Sequence, residues 1–281
     1  MMRGVVEPFE RQCSLLLFVA TESEEQALEE TAREKGLAFR KVRDPNLGQY
    51  HSMGQVGNET VIAVRPAREG GRVVMGPFGR LGSASRAVRF RQATGAQAIV
   101  QLGMAFGVSR NTQKHGDVLV SSSLIPYDNR RVVGVPRSLL HRVLCRSESY
   151  IVDYSQASRQ PARPALVQLC FRERKRGGHD FHVHVGAMLS GAAQIQSARF
   201  RDELVTGVPA GEASIVGGEM EGVGLLAAST EPDDAVWCIV KGISDFADET
   251  RFSENHEFRT IACRNAARFL LSALMRDTTR E

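Results

Sequence analysis

The chain has 281 residues, of which 42% are hydrophobic and 24% are charged, and its formal net charge is +4. This composition is typical of a globular protein with a sizeable core, and 26 glycines against 10 prolines indicate tight turns rather than disorder. No apolar run approaches the roughly 18 residues that span a bilayer, so we expect a cytoplasmic protein and no membrane partner. Five scattered cysteines without metal or redox spacing favour reduced thiols over disulfides.

The N-terminal part predicts a strand, a helix and then antiparallel strands. Leu15 to Val19 is typical of a buried strand, and the apolar spacing within Glu24 to Lys35 predicts the helix that follows it. Val56 to Val64 is typical of a hairpin that turns at Gly57 and Asn58.

A glycine-rich bend, Gly76 to Gly82, precedes a helix that we expect Ser83 or Ser85 to cap. The bend could hold an anion on its backbone amides, although glycines serve simple turns equally well. Ala98 to Leu102 and Gly116 to Ser121 predict the next two strands.

Arginines are concentrated in the middle of the chain, which we interpret as a basic elaboration, at about 128–180, of a single domain that spans residues 1–281. The segment contains one predicted helix, Arg137 to Cys145. The arginines from Arg130 to Arg176 either meet a phosphate or form a solvated surface, and the second role is the more common one. Neither a recognition motif nor aromatic interleaving supports nucleic-acid binding.

The last third of the chain alternates strands with helices. The predicted elements are a strand at His182 to Leu189, a helix at Ile195 to Leu204, a strand at Ser214 to Val216, a helix at Met220 to Ser229, a strand at Val236 to Lys241 and a final helix near His256 to Met275. This alternation predicts an α/β fold with a sheet covered on both faces.

Two segments resemble the nucleoside phosphorylase superfamily. Gly217 to Gly222 places two carboxylates around a methionine, and Lys241 to Asp248 matches the base-binding segment of that superfamily. Further segments are similar, in the same order, to the branch that contains methylthioadenosine/S-adenosylhomocysteine nucleosidases: Ala20 to Glu24, Leu102 to Gly107, Gly116 to Ser121 and Ser190-Gly191. The resemblance covers most of the chain. It implies a three-layer αβα fold with a central mixed sheet, a homo-oligomer of two or more subunits, and no cofactor or metal.

The resemblance also implies hydrolytic release of a purine, which we expect to be adenine, from a nucleoside or from a nucleotide such as AMP or ATP. It assigns Glu24 to activating water, Asp245 to protonating purine N7 and Glu221 to accepting the ribose hydroxyls, and carboxylates suit all three tasks. Glu24 could instead be only a first-turn carboxylate favoured by the helix dipole. Glu219 is expected to satisfy a helix N-terminus or to orient Glu221.

Other residues are expected around the sugar and the base. Met220 would pack under the sugar, with ordinary core packing as the alternative, and Ser244 would contact the substrate from the base-binding segment. The base pocket would be lined by Ala105, Phe106 and Ile195, of which Phe106 could equally be plain core. Gln194 stands where adenine-releasing relatives have an aromatic residue that stacks on the base. This departure and the basic segment together suggest a substrate other than methylthioadenosine, one that carries phosphate.

Two other functions are weighed against hydrolysis. One is a phosphorolytic purine nucleoside phosphorylase in which Arg80 or Arg86 holds orthophosphate, and the other is a nucleotide-sensing module without turnover. Hydrolysis is preferred because the first turn presents Glu24 and lacks the Gly-Asp-x-x-Arg phosphate loop of phosphorylases. A metal site is not expected, since an alternating strand can by chance contain histidines such as His179, His182 and His184.

Overall fold

The computed structural model describes residues 11–134, 150–209, 211–229, 235–252 and 256–277, and the helix predicted at Arg137 to Cys145 lies outside them. The strands in these ranges are β1 (Leu15–Phe18), β2 (Arg40–Asp44), β3 (Gly48–Val56), β4 (Glu59–Val64), β5 (Ala67–Glu69), β6 (Arg72–Val74), β7 (Ala98–Gly107), β8 (Val118–Pro126), β9 (Arg131–Gly134), β10 (Tyr150–Asp153), β11 (Gln160–Pro161), β12 (Val183–Ser190), β13 (Ile215–Glu219) and β14 (Trp237–Asp245). The α-helices are α1 (Glu22–Glu34), α2 (Ser83–Thr94), α3 (Pro164–Arg176), α4 (Ala198–Gly207) and α5 (His256–Met275), and 3-10 helices cover Gly222–Ala228 and Glu249–Phe252.

A ten-stranded mixed sheet forms the centre of the molecule. Its strands follow the order β11-β8-β12-β13-β7-β1-β4-β3-β2, and β14 pairs with both β7 and β8. Because β14 joins those two strands, β7, β13, β12, β8 and β14 close into a ring of paired strands, which leaves no free edge in that part of the sheet. The central mixed sheet that the resemblance implied is confirmed.

The sheet is covered on both faces, as neighbouring residues of β1 show. Leu15 and Leu17 belong to a core that includes residues of α1 and α5, whereas Leu16 and Phe18 belong to a second core with residues of α2 and β14. Successive side chains of a strand point to opposite faces, so helices lie on both sides of the sheet. The αβα arrangement is therefore confirmed.

The cap predicted for α2 is wrong. Gly82 precedes the helix and no side chain caps it. Ser83 Oγ instead donates to the carbonyl oxygen of Glu221 at 2.6 Å, and Ser85 Oγ donates to that of Gly79. Close packing explains the choice, because a Cβ on Gly224 would lie 2.1 Å from Ser83 Oγ. Ser83 therefore joins α2 to the 3-10 helix that follows β13.

Several other elements differ from their predicted bounds. The helix predicted at 220–229 is a 3-10 helix that begins at Gly222, and the helix predicted at 195–204 begins at Ala198 because Ser197 caps it. The helix α3 was not predicted; it packs against α5. The hairpin of β3 and β4 is confirmed. None of the helices in the described ranges is both long and apolar enough to cross a membrane.

Candidate active site

The carboxyl ends of three adjacent parallel strands meet at one pocket. β1 pairs in parallel with β7, and β7 pairs in parallel with β14. The residues that follow or end these strands therefore lie side by side, which is where α/β sheets bind ligands. The strand β13 runs antiparallel to β7 and delivers its own end to the same place, with Gly218 opposite Phe106.

Every site residue expected from the sequence lines this pocket except two arginines. The expected residues that line it are Glu24, Ala105, Phe106, Gln194, Ile195, Glu219, Met220, Glu221, Ser244 and Asp245. The other lining residues are Ala20, Thr21, Met75, Met104, Ala193, Gly218 and Arg259.

Glu24 is fixed by backbone amides from two strand ends. It stands at the third position of α1, where Thr21 and Glu24 form a reciprocal capping box. Its Oε2 accepts from the backbone N–H groups of Ala20 at 2.6 Å and Thr21 at 2.9 Å, while Oε1 accepts from that of Met104 at 2.9 Å. A carboxylate has about four acceptor positions, so one remains for a water or a substrate hydroxyl. The helix-start role and a role in the pocket are therefore compatible in one residue.

Gly103 makes this arrangement possible. Its φ is +150°, and a Cβ at this position would lie 1.9 Å from Glu24 Oε1. Only a residue without a side chain lets the β7 backbone approach the carboxylate this closely. The glycine in the segment Leu102 to Gly107 thus positions Glu24.

Glu219 and Glu221 have different surroundings although one residue separates them. Glu219 accepts from the backbone N–H groups of Glu221 at 2.9 Å and Gly222 at 3.0 and 2.9 Å, so it caps the 3-10 helix and orients its neighbour. Glu221 Oε2 accepts from Lys241 Nζ at 2.7 Å. Its Oε1 has no hydrogen-bond partner among the residues that the structure describes, and it is therefore available to a ligand.

Lys241 joins the two carboxylates from below the pocket. It is 1% exposed, and its ammonium also donates to Glu219 Oε2 at 3.1 Å. Burial lowers the pKa of Lys241, but the carboxylates of Glu221, Glu219 and Glu24 outweigh burial and hold this pKa above its usual range. Burial raises the pKa of Glu221, and the ammonium of Lys241 only partly offsets the rise. The ammonium of Lys241 thus offsets part of the free-energy cost of burying the carboxylates of Glu219 and Glu221.

Asp245 ends β14 in a fixed loop. Ser244 Oγ lies 3.0 Å from Asp245 Oδ2 and 3.3 Å from the carbonyl oxygen of Ala105, and the backbone N–H of Ala247 donates to Asp245 Oδ1 at 3.0 Å. A hydroxyl carries one proton. When Ser244 donates to Ala105, its oxygen can accept from a protonated Asp245, and otherwise it donates to the carboxylate. Ala247 has a φ of +51°, a strained conformation for a residue with a side chain.

The rest of the expected pocket lining combines apolar and polar groups. Ile195 is buried, whereas Gln194 is exposed at the position where the resemblance leads one to expect an aromatic ring. Phe106 is buried in a core with Ile195. Both of its expected roles, core packing and pocket lining, apply at once.

Arg80 and Arg86 are not brought to the pocket. Arg86 is buried, donates to the carbonyl oxygen of Arg65 and lies 5.7 Å from the ring centre of Phe18. Burial, and then the charge of Arg89, lowers the pKa of Arg86 to about 10. Arg80 is exposed on the glycine-rich bend. The predicted orthophosphate site at these arginines has no support in this geometry.

The histidines that were considered as metal ligands lie beside carboxylates. His184 Nε2 lies 2.9 Å from Asp117 Oδ2, and His179 Nε2 lies 3.1 Å from the buried Glu173. Within the described ranges no group of three or more His, Cys, Asp or Glu side chains is arranged to hold a metal ion.

Two functional candidates were missed for different reasons. Lys241 interrupts the apolar strand Val236 to Val240, and a lysine in a buried strand is a signal for a paired charge that could have been used. Arg259 lies in the first turns of a polar helix end and carries no local signal, because its position at the pocket depends on how α5 packs.

Comparisons with known proteins agree with this geometry. A family model described as the phosphorylase superfamily matches residues 14–275. A death domain-containing ATP nucleosidase from Amphimedon queenslandica is 28% identical over 192 residues, which cover 64% of this chain and 34% of that protein. The chain therefore spans about a third of the length of this curated relative.

Several solved structures share the fold. S-adenosylhomocysteine nucleosidase from Streptococcus pyogenes has a TM-score of 0.69 and 18% identity, with 95% of this chain and 98% of that one covered. Methylthioadenosine/S-adenosylhomocysteine nucleosidase from Neisseria meningitidis has a TM-score of 0.67 and 16% identity over 93% and 98% of the two chains. Futalosine hydrolase of Helicobacter pylori has a TM-score of 0.65 and 20% identity over 92% and 96%. At these identities the likeness is one of fold.

Proposed function

Because the chain belongs to the phosphorylase superfamily, we propose that it hydrolyses the N-glycosidic bond of an adenine nucleoside or nucleotide and releases the free base. One observation carries the proposal: the carboxylates of Glu24, Glu221 and Asp245 line a single pocket, each held by a different strand end. Such a reaction needs an acid, a support for the sugar and a base, and the pocket offers one carboxylate for each.

Asp245 acts on the leaving base. In its protonated form it gives a proton to purine N7, and the electron pair of the bond between C1′ and N9 moves into the neutralised ring system. Ser244 accommodates both protonation states of Asp245 by redirecting its hydroxyl between Asp245 and the carbonyl oxygen of Ala105. The loop therefore does not have to move during the reaction.

Glu221 holds the sugar. Its Oε1 accepts from the ribose hydroxyls while Lys241 keeps Oε2 in place at 2.7 Å. Met220, which lines the pocket beside it, packs against the sugar ring. Negative charge near the ring also stabilises the oxocarbenium character that develops at C1′ as the base departs.

Glu24 completes the reaction by activating water. Its remaining acceptor position binds a water proton, the water oxygen attacks C1′, and the proton passes to the carboxylate as the new C1′–O bond forms. The products are the free base and a sugar with a hydroxyl at C1′. The carboxylates that line the pocket disfavour a phosphate dianion as the nucleophile, because they would repel it strongly in a partly buried site.

We also propose that the protein is a homo-oligomer, as the resemblance implies. Met75, which lines the pocket, is 50% exposed, and Phe78 on the following bend is 71% exposed. An exposed apolar side chain in the pocket lining and a second one three residues along the chain are suited to contact with another subunit. Light scattering after size exclusion measures the mass directly, and a monomer at micromolar concentration would contradict this part of the proposal.

The function is tested with adenosine, methylthioadenosine, AMP and ATP, each incubated with and without orthophosphate. Chromatography measures the released base, and mass spectrometry of reactions in ¹⁸O-water locates the label. We expect adenine and a sugar labelled at C1′, whether or not orthophosphate is present. A sugar 1-phosphate as the main product would instead establish a phosphorylase. Tight binding of these compounds without base release would establish a sensor.

A further inference from the structure

The pocket is rich in negative charge and has one cationic side chain in its described lining. Glu24, Glu219, Glu221 and Asp245 supply carboxyl groups, whereas Arg259 is the single lysine or arginine among the lining residues. Lys241 lies beneath the surface, and its ammonium is already bonded to two carboxylates. Arg259 is therefore the group in the described lining that can attract an anion.

Several arginines of the described chain pair with carboxylates, and Arg259 does not. Arg65 pairs with Glu25, Arg110 with Asp248 and Arg276 with Glu173. The guanidinium of Arg259 makes no ion pair with the described residues, is exposed, and stands at the pocket from the first turns of α5. Its donors are available to a ligand.

Arginines of the basic middle segment do not supply this charge within the described residues. Five of those that the structure describes serve other contacts: Arg131 pairs with Asp153, Arg159 donates to Ala213, Arg163 donates to Gln97, Arg172 pairs with Asp277 and Arg176 pairs with Glu173. The other two arginines that it describes in this segment are Arg130 and Arg174. None of them lines the pocket. A phosphate contact of the kind that the sequence suggested for this segment would therefore have to come from another element. Arg259 of α5 lies where it could make that contact.

We propose that Arg259 binds the 5′-phosphate of the substrate and makes the enzyme a nucleotide hydrolase rather than a nucleoside hydrolase. The inference rests on the proposed function and narrows it to a substrate class. Asp245 and Glu221 account for the base and the ribose hydroxyls, so an anion is the part of an adenine nucleotide left to match a guanidinium. Arginine suits phosphate because its planar fork can donate two parallel hydrogen bonds.

Because several carboxyl groups line the pocket, the contact between Arg259 and a phosphate should have a large effect on nucleotide binding. A phosphate that enters a pocket with several carboxyl groups is repelled unless a cation faces it, whereas an uncharged nucleoside meets no such barrier. Loss of Arg259 should therefore penalise nucleotides selectively. Orthophosphate has the same chemistry, and a role for Arg259 in holding it would make the reaction phosphorolysis. The two sources are separated by running each reaction with and without orthophosphate.

The experiment compares wild type with Arg259→Gln, Arg259→Lys and the control Arg264→Gln, which removes an exposed arginine of α5 that pairs with Glu34. For each, kcat/KM is measured for AMP and for adenosine at low and high salt. We expect Arg259→Gln to lower kcat/KM for AMP by about 10- to 100-fold and that for adenosine by less than about 2-fold. Arg259→Lys should lose less, and Arg264→Gln should match wild type.

The outcomes separate this inference from the function it rests on. Equal losses for AMP and adenosine, no loss for either, or a wild-type preference for adenosine would each overturn it. An effect of Arg259→Gln that appears only with orthophosphate present would assign the residue to that ion instead. If wild type releases no base at all, the proposed function fails, and equilibrium dialysis with AMP still decides: equal affinity of wild type and Arg259→Gln overturns the inference.

Discussion

Lys241 Nζ lies 2.7 Å from Glu221 Oε2, and both side chains are buried. The same ammonium reaches Glu219, so one buried cation serves two buried carboxylates. An unpaired buried charge is costly, so burial alone would favour the neutral form of Glu221. The ion pair with Lys241 helps to keep Glu221 negatively charged at the pocket surface. The sugar-binding role proposed for Glu221 therefore depends on a residue that is not among those lining the pocket.

Replacing Lys241 with Met should destabilise the fold in a pH-dependent way. Removing one partner of a buried ion pair costs about 3–5 kcal/mol. Without the ammonium, the pKa of Glu221 rises further above its value in the unfolded chain. A folded-state pKa that is raised gives stability at low pH that is lost as the pH rises through it, so the loss should be larger at about pH 8 than at about pH 5. Denaturant unfolding at both pH values measures this, with Lys241→Arg as the charge-preserving control. Equal losses at the two pH values would contradict the account.

Glu221→Ala should weaken the discrimination between ribose and 2′-deoxyribose substrates. A hydrogen bond to a charged group contributes about 1.5–3 kcal/mol, so kcat/KM for the ribonucleotide should fall by about 10- to 100-fold and that for the 2′-deoxy compound by less. Glu221→Gln is the stability control. Both variants leave Lys241 with Glu219 as its hydrogen-bonded carboxylate, so both should lose stability, and Glu221→Gln measures that loss without the change in side-chain size. Unchanged discrimination in Glu221→Ala would show that the contact is misassigned.

Asp245→Asn should remove most turnover and leave substrate binding in place. The amide keeps the shape and the bond from the Ala247 N–H, but it cannot give a proton to the departing base. Loss of a general acid costs about 100-fold or more in kcat. Single-turnover kinetics combined with a binding assay separate the two effects, and a folded variant with normal turnover would rule the assignment out.

Glu24→Gln should cut hydrolysis by about 100-fold or more, because an amide can hold a water but cannot take its proton. The amide has one acceptor oxygen where Glu24 uses two, so the variant keeps the bonds from Ala20 and Thr21 or the bond from Met104 but not all three, and an unpaired buried donor costs about 1–3 kcal/mol. Stability is therefore measured alongside kcat. If the loss of activity follows only the loss of folded protein, Glu24 is a helix-start carboxylate and nothing more.

Gly103→Ala should act on the reaction through Glu24. The added Cβ would meet Glu24 Oε1 at 1.9 Å and push the carboxylate away from its water position. A displacement of about 1 Å in a catalytic group can cost about 100-fold in rate, so kcat should fall more than nucleotide affinity. Gly54→Ala is the matched control, since Gly54 also has a positive φ and none of the described atoms lies within 4 Å of the Cβ it adds. Equal kinetics for the two alanine variants would contradict the role given to Gly103.

The sequence by itself determined the layer order and three carboxylates of the site. Runs such as Leu15 to Val19 and the helix at His256 to Met275 are specified by local periodicity, which depends only on neighbours in the chain. Glu24, Glu221 and Asp245 were recognisable because each stands in a short motif at a strand end. Glu24 and Asp245 meet because β1 and β14 each pair in parallel with β7, whereas Glu221 reaches the same pocket from β13, which runs antiparallel to β7.

Other features were decided by the tertiary structure alone. Ser83 could have capped its own helix or donated to the carbonyl oxygen of Glu221. It donates to Glu221 because Gly224 packs closely against Ser83. Lys241 acquires its role from Glu219 and Glu221, some twenty residues away, and Arg259 reaches the pocket only through the packing of α5. Local sequence determines backbone conformation. Burial, charge pairing and proximity depend instead on contacts between distant segments, and those contacts form only when the strands have paired into the sheet.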